Sequence, residues 1–165
     1  MRNLLVVLVI VIGGLLVSGA ALAADGQGLY TTAEQANLAT AQACFNAFTS
    51  GDMDSFFATL DDNVVWEVNG SPDFVPTHGK WEGIDAVRDW VGLVDSELEF
   101  LDFAADNYYV DGDTVIVVCH ERNRVKATNK TIDEREVFLL TFTNGKIAHF
   151  LIFDDSAQEH WALQP

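Results

Sequence analysis

The hydrophobic patterning of this 165-residue chain predicts an α+β domain, with N-terminal helices packed on one face of a curved antiparallel sheet. Two observations carry this. Apolar residues recur at helical spacing in the first half, and long alternating segments fill Leu98 to Phe153. The turn dipeptides Asp111-Gly112, Thr128-Asn129 and Asn144-Gly145 then divide those segments into a meander.

The first residues stand apart from that domain. Arg2 precedes an apolar run from Leu4 to Val17, and Ala21-Leu22-Ala23 forms a small-x-small site. Residues 1–23 therefore read as a signal peptide and 24–165 as one domain, with a periplasmic or secreted location. The run is short for a spanning helix, which needs about 20 apolar residues. Nine basic residues against 25 acidic give a net charge of −16, and the leader accounts for only one of the nine, Arg2. Such a surface repels nucleic acid and, after signal cleavage, anionic membrane, so neither is an expected partner.

Thr31-x-x-Glu34 is a capping box that opens a first helix, with Leu38, Ala41, Phe45 and Phe48 on one face. Gly51 ends it. Asp52 to Leu60 reads as a second, short helix with Met53, Phe56, Phe57 and Leu60 inward. Val64 to Val68 is a strand, and a loop punctuated by Gly and Pro runs on to Gly83. Ile84, Val87, Trp90, Val91 and Val94 mark a third helix. The remaining strands are Leu98–Val110, Thr114–Lys126, Thr131–Thr143 and Ile147–Phe153, with a last short helix over Ser156–Leu163. Cys44 and Cys119 would lie on opposite sides of the sheet if the helices covered the His120 face, which argues against a disulfide. No spacing resembles a zinc site, and neither metal nor cofactor is expected.

Within the strand from Thr114, His120, Arg122 and Arg124 occupy alternate positions and so share one face. That face is either a solvated edge or a cavity wall. Charged residues are seldom buried unless paired, which favours the first.

The segments VVWEVNGSPDF (64–74), GKWEGIDAV (79–87), GDTVIVVCHERNRVKAT (112–128) and FTNGKIAHFLIFDDSA (142–157) resemble the SnoaL-like, ketosteroid-isomerase-related proteins of the nuclear transport factor 2-like superfamily. The resemblance spans about residues 31–160. It implies a cone of curved sheet closed by helices around a pocket, and turns the His120 face inward. On that reading His120 moves a proton, Arg122 and Arg124 hold an anion, and Glu136 orients or acts as base. A hairpin register pairing Arg122 with Glu136 and Arg124 with Glu134 supports it, as does a Gly145 bulge setting Phe138 beside Phe150 and Glu136 beside Ile152. Trp66, Val68 and Asp154 share the wall, Trp90 joins from the third helix, and His78 comes from the loop near the mouth. Against the limonene-epoxide-hydrolase pattern, Arg122 matches a catalytic arginine, but Arg124 and Ile152 replace both aspartates.

The expected activity is binding of a small, partly apolar molecule, an anion among the candidates, with cofactor-free isomerase, cyclase or dehydratase chemistry. The alternative is a non-catalytic ligand-binding or assembly module. A homodimer through the convex sheet face, using Val117, Val125, Leu139 and Leu151, is compatible with both.

Overall fold

The chain is described by a computed structural model covering residues 30–165. The leader expected over 1–23 lies outside the described residues. Helix α1 spans Thr32–Ser50 and α2 Met53–Ala58. Strands β1 (Leu60–Val68) and β2 (Gly79–Glu82) follow, then α3 (Ile84–Glu97). The meander is β3 (Leu98–Asp111), β4 (Thr114–Val125), β5 (Thr131–Thr143) and β6 (Lys146–Phe153), and α4 (Ser156–Leu163) closes the chain. Among the described residues no helix is long and apolar enough to cross a membrane.

Local chemistry sets the helix ends. The Thr31 side chain accepts from the Glu34 amide while the Glu34 carboxylate accepts from the Thr31 amide, which satisfies two otherwise orphaned donors. Gly51, at φ +73°, ends α1 in the left-handed conformation that glycine adopts without a Cβ penalty. Leu60 opens β1 rather than completing α2, because the Thr59 cap already turns the chain. The strand β2 is hidden in the sequence by its four-residue length.

The six strands form one open sheet in the order β2-β1-β6-β5-β4-β3. Neighbours are antiparallel except β1 and β6, which run parallel. The sheet curves around α1, α2 and α3. Phe45 of α1 anchors that packing, with ring contacts to Phe103 and Tyr108 of β3, Phe138 of β5 and Phe150 of β6.

Two registers decide which side chains face the helices. In the β4–β5 hairpin Val125 and Lys130 flank a four-residue turn in which Asn129 has φ +61°. This pairs Glu121 with Glu134, Cys119 with Glu136, Arg122 with Asp133 and Arg124 with Thr131. The expected Arg122–Glu136 and Arg124–Glu134 pairs are not formed. Their predicted register is off by three residues, and an odd shift moves a strand's side chains to the other face.

In the β5–β6 hairpin Asn144 and Gly145 form a two-residue turn, both with positive φ. The extra residue lies at Ala148, not Gly145, and sets Phe138 opposite Ile152 and Leu140 opposite Phe150. This differs by two from the expected register, so Phe138, Phe150 and Ile152 still share the inner face.

Consequently Val115, Val117, Cys119, Glu121, Asn123 and Val125 of β4 point inward, and His120, Arg122 and Arg124 point outward. Val117 and Val125 are completely buried and contribute nothing to an outer face, whereas Leu139 and Leu151 remain half-buried there. Cys44 and Cys119 are free and lie in one core cluster, so they are not separated by the sheet. Burial pushes the Cys44 thiol up to about 12.

Candidate functional site

The inner faces of the sheet and the helices enclose a cavity of about 70 Å³, room for a few waters or a small organic group. Its upper wall is aromatic: Phe45, Phe48, Trp66, Trp90, Phe103, Phe138 and Phe150 all line it. Trp66 stacks on Phe150 with centroids 3.9 Å apart and meets Trp90 at 4.8 Å. The Trp90 indole N–H donates to the Thr77 carbonyl at 2.9 Å, which ties α3 to the loop before β2. The Trp66 indole N–H is buried without a partner.

The floor is acidic. Glu121, Glu136, Asp154 and Glu159 line it, and buried Glu134 lies beside them. Strand alternation explains the convergence: Glu134 and Glu136 share a face of β5, the register sets Glu121 opposite Glu134, and Asp154 follows β6. Glu159 comes from α4, which Asp155 caps by accepting from the Gln158 amide. Glu134 in turn accepts from the Asp155 amide at 2.7 Å, so the sheet and α4 are locked together. The cap therefore belongs to Asp155, and Asp154 is left to face the cavity.

His78 reaches the same floor from the loop. It is only 2% exposed, not at the mouth. Its Nε2 lies 2.6 Å from Glu159 and 3.0 Å from Asp154. The ring packs so closely on Gly70 that a Cβ there would sit 2.0 Å from Nδ1. Gly70 also has φ +149°, so this position demands glycine for two reasons.

Electrostatics follow from burying so many carboxyls together. Burial, then the Glu159 charge, pushes Glu134 up to about 8. Glu121 is held above the usual carboxylate range by burial, then by the Glu134 and Glu159 charges, and Glu136 by burial, then by the Glu121 and Glu134 charges. Burial likewise raises Glu159, against the hydrogen bond from His78. Burial pulls His78 down, but hydrogen bonds and charge from Asp154 and Glu159 outweigh it and raise the imidazole to about 9. Several polar atoms remain without partners: Glu134 Oε1, Glu136 Oε2, Asp154 Oδ1, Asn123 Oδ1 and His78 Nδ1. Two triads, His78/Asp154/Glu159 and Glu121/Glu134/Glu136, each bring ligand atoms within 4.8 Å of one another, the spacing a metal ion would need.

The structure thus brings together Trp66, Val68, His78, Trp90, Glu134, Glu136, Phe138, Phe150, Ile152 and Asp154 of the expected residues. It does not bring in His120, Arg122 or Arg124. His120 Nδ1 lies 3.0 Å from Asp106 on the outer face, and Arg124 pairs with Glu99 at 3.0 Å. Arg122 is exposed, opposite Asp102 and Asp133. The His120 and Arg124 contacts are surface pairs, each worth about 0–1 kcal/mol. The solvated alternative is the one observed. Glu121, Asn123 and Glu159 were missed, although strand alternation places Glu121 and Asn123 inward as soon as the arginines are placed outward.

The acidic floor fixes the direction of pH dependence. Below about pH 4.5, the ordinary value for these glutamates, both folded and unfolded chains hold the protons. As pH rises towards 8 the unfolded chain releases them and the folded chain keeps them, so stability drains away. His78 acts in the same direction between 6.5 and about 9, where its ion pairs are lost. Denaturant titrations should show stability falling by about 2 kcal/mol or more from pH 5 to 9. Glu134→Gln should flatten the curve; a wild-type curve rising over that interval would contradict the assignment.

Comparison with known proteins agrees with this architecture. Residues 41–150 match the family model described as a SnoaL-like domain. An NTF2-like protein from Burkholderia thailandensis E264 is 24% identical, with 82% of this chain and 100% of that chain covered at a TM-score of 0.71. One from Burkholderia xenovorans LB400 is 22% identical over 79% and 98%, at 0.70. TerC, crystallised with polyporic acid, is 16% identical over 77% and 97%, at 0.68. Comparison with curated proteins gives no significant match. Since the family model covers most of the chain, the protein belongs to the SnoaL-like domain family, and its α+β cone is the fold of these NTF2-like neighbours.

Proposed function

We propose that this ligand-binding domain turns over a small, partly apolar cyclic molecule by acid/base chemistry without a cofactor. The observation that carries the reading is the meeting of an aromatic wall with two buried carboxyls in different settings, Asp154 held by His78 and Glu136 raised by burial among other glutamates. The aromatic faces fit a flat, apolar ring. Asp154 is the base: His78 holds its Oδ2 at 3.0 Å and leaves Oδ1 without a partner at the cavity. Glu136 is the acid, its proton held more tightly than an ordinary carboxyl's by burial and by the Glu121 charge.

In an isomerisation Asp154 would take a proton from carbon beside a polarised C=X group while Glu136 gives its proton to X. Return of the two protons, to a different carbon and to Glu136, completes the cycle with no net change in charge. Cyclisation and dehydration draw on the same two groups. Among the described residues no Lys or Arg lines the cavity, which favours a neutral or cationic ligand over an anion.

Proton transfer is read by following hydrogen–deuterium exchange at carbon by NMR, over a panel of small cyclic ketones and imines in deuterated buffer. Asp154→Asn and Glu136→Gln should each slow exchange about 10²–10⁴-fold, while His120→Ala and Arg122→Ala stay near wild type. Loss of exchange in His120→Ala would refute these roles. Binding with no exchange from any compound would favour the non-catalytic module.

We also propose export with cleavage after Ala23, on the leader pattern, and pairing of two copies through the outer sheet face, where Val118, Leu139 and Leu151 stay half-buried. Denaturing and native mass spectrometry of protein recovered from the periplasm tests both. The expected result is a chain beginning at Ala24 and a dimer; an intact leader refutes the first proposal and a monomer the second.

A further inference from the structure

The cavity floor is rich in carboxyl oxygens, and among the described residues no lysine or arginine lines it. Glu136 Oε2, Glu134 Oε1 and Asp154 Oδ1 are all buried without a partner. Glu136 is only 6% exposed and lines the cavity. A buried acceptor without a donor is costly, so this arrangement is built for something that brings donors or positive charge.

Three further observations say what kind of group that is. The wall facing the carboxyls is a set of aromatic rings, whose faces attract cations and whose area suits an organic body rather than a bare ion. A wider groove shares Phe48, Trp90 and Phe103 with the cavity and adds Asp95 and Asp102, so its rim is acidic as well. The net charge of −16 draws cations towards both. A metal ion would use the carboxyl triads but would leave the aromatic wall without a role.

We infer that the ligand carries a basic nitrogen, and that its ammonium form is held by Glu136, with Glu134 and Glu121 beside it, while its apolar ring lies against Trp66 and Phe150. This rests on the cavity being the ligand site and concerns binding alone: a ligand that arrives as an ammonium takes no proton from Glu136. An ammonium entering from solution keeps its own proton. Glu136 becomes a carboxylate by giving its proton to water or buffer, and a charge-assisted hydrogen bond replaces the carboxylic acid. His78 stays on Asp154 and Glu159 and does not compete for the nitrogen.

A matched pair of probes tests this. Calorimetry with benzylamine and benzyl alcohol at pH 7, in two buffers of different ionisation enthalpy, reads both affinity and protons released. The amine should bind about ten-fold or more tightly than the alcohol. It should release about one proton where the alcohol releases none. Glu136→Gln should remove the preference and the proton release. Equal or tighter binding of the alcohol by the wild type overturns the nitrogen assignment and leaves the ligand cavity standing. Failure of both probes to bind overturns the cavity reading as well. Binding of Mn²⁺ or Ca²⁺ with the amine silent assigns the floor to a metal ion and overturns the proposal.

Discussion

The register of the β4–β5 hairpin is the constraint on which the site depends. Val125 and Lys130 close a four-residue turn, and every pairing above it follows in steps of one residue. Shifting that register by one would expose Glu134 and Glu136 and bury their neighbours. Because it holds, Glu121 and Glu134 face each other across two central strands, with Glu136 next along the same face. Like charges directly opposed are unfavourable, and burial makes them worse. The folded chain resolves the conflict by holding protons.

The remaining elements make that arrangement tolerable. Phe45 and its ring neighbours supply an apolar core whose burial offsets the cost of the acidic floor. The α4 helix is tied to β5 through Glu134 and the Asp155 amide, and delivers Glu159 to His78. Gly70 makes room for the imidazole, and Trp90 fixes the loop that carries it. Stability is thus traded for a cluster of shifted carboxyls, a pattern typical of functional sites.

The elements were legible in the sequence because each rests on local chemistry. The Thr31–Glu34 capping box, the Gly51 stop and the Asn144-Gly145 turn all behave as their residue types dictate. The apolar half of the site was legible too, since Trp66, Phe138 and Phe150 recur at strand spacing and the shift in the last hairpin was even. The polar half was not. The turn over Lys126–Asn129 carries no glycine, its length is not written in its residue types, and one odd step reverses a face. His120, Arg122 and Arg124 drew attention as a trio, yet burial cost alone assigns three potential cations to water and the single Glu121 to the interior. His78 and Glu159 meet across 81 residues of sequence, a contact no local pattern announces.

The most direct test of the central claim is the protonation of the floor itself. In protein labelled with ¹³C at the glutamate carboxyls, a pH titration by NMR should resolve a small group of signals, lost selectively in the Glu121→Gln, Glu134→Gln and Glu136→Gln variants, that titrate above neutrality. If every glutamate signal instead moved in the ordinary carboxylate range, the inner face would not be holding protons. The register-driven account of the site would then be contradicted.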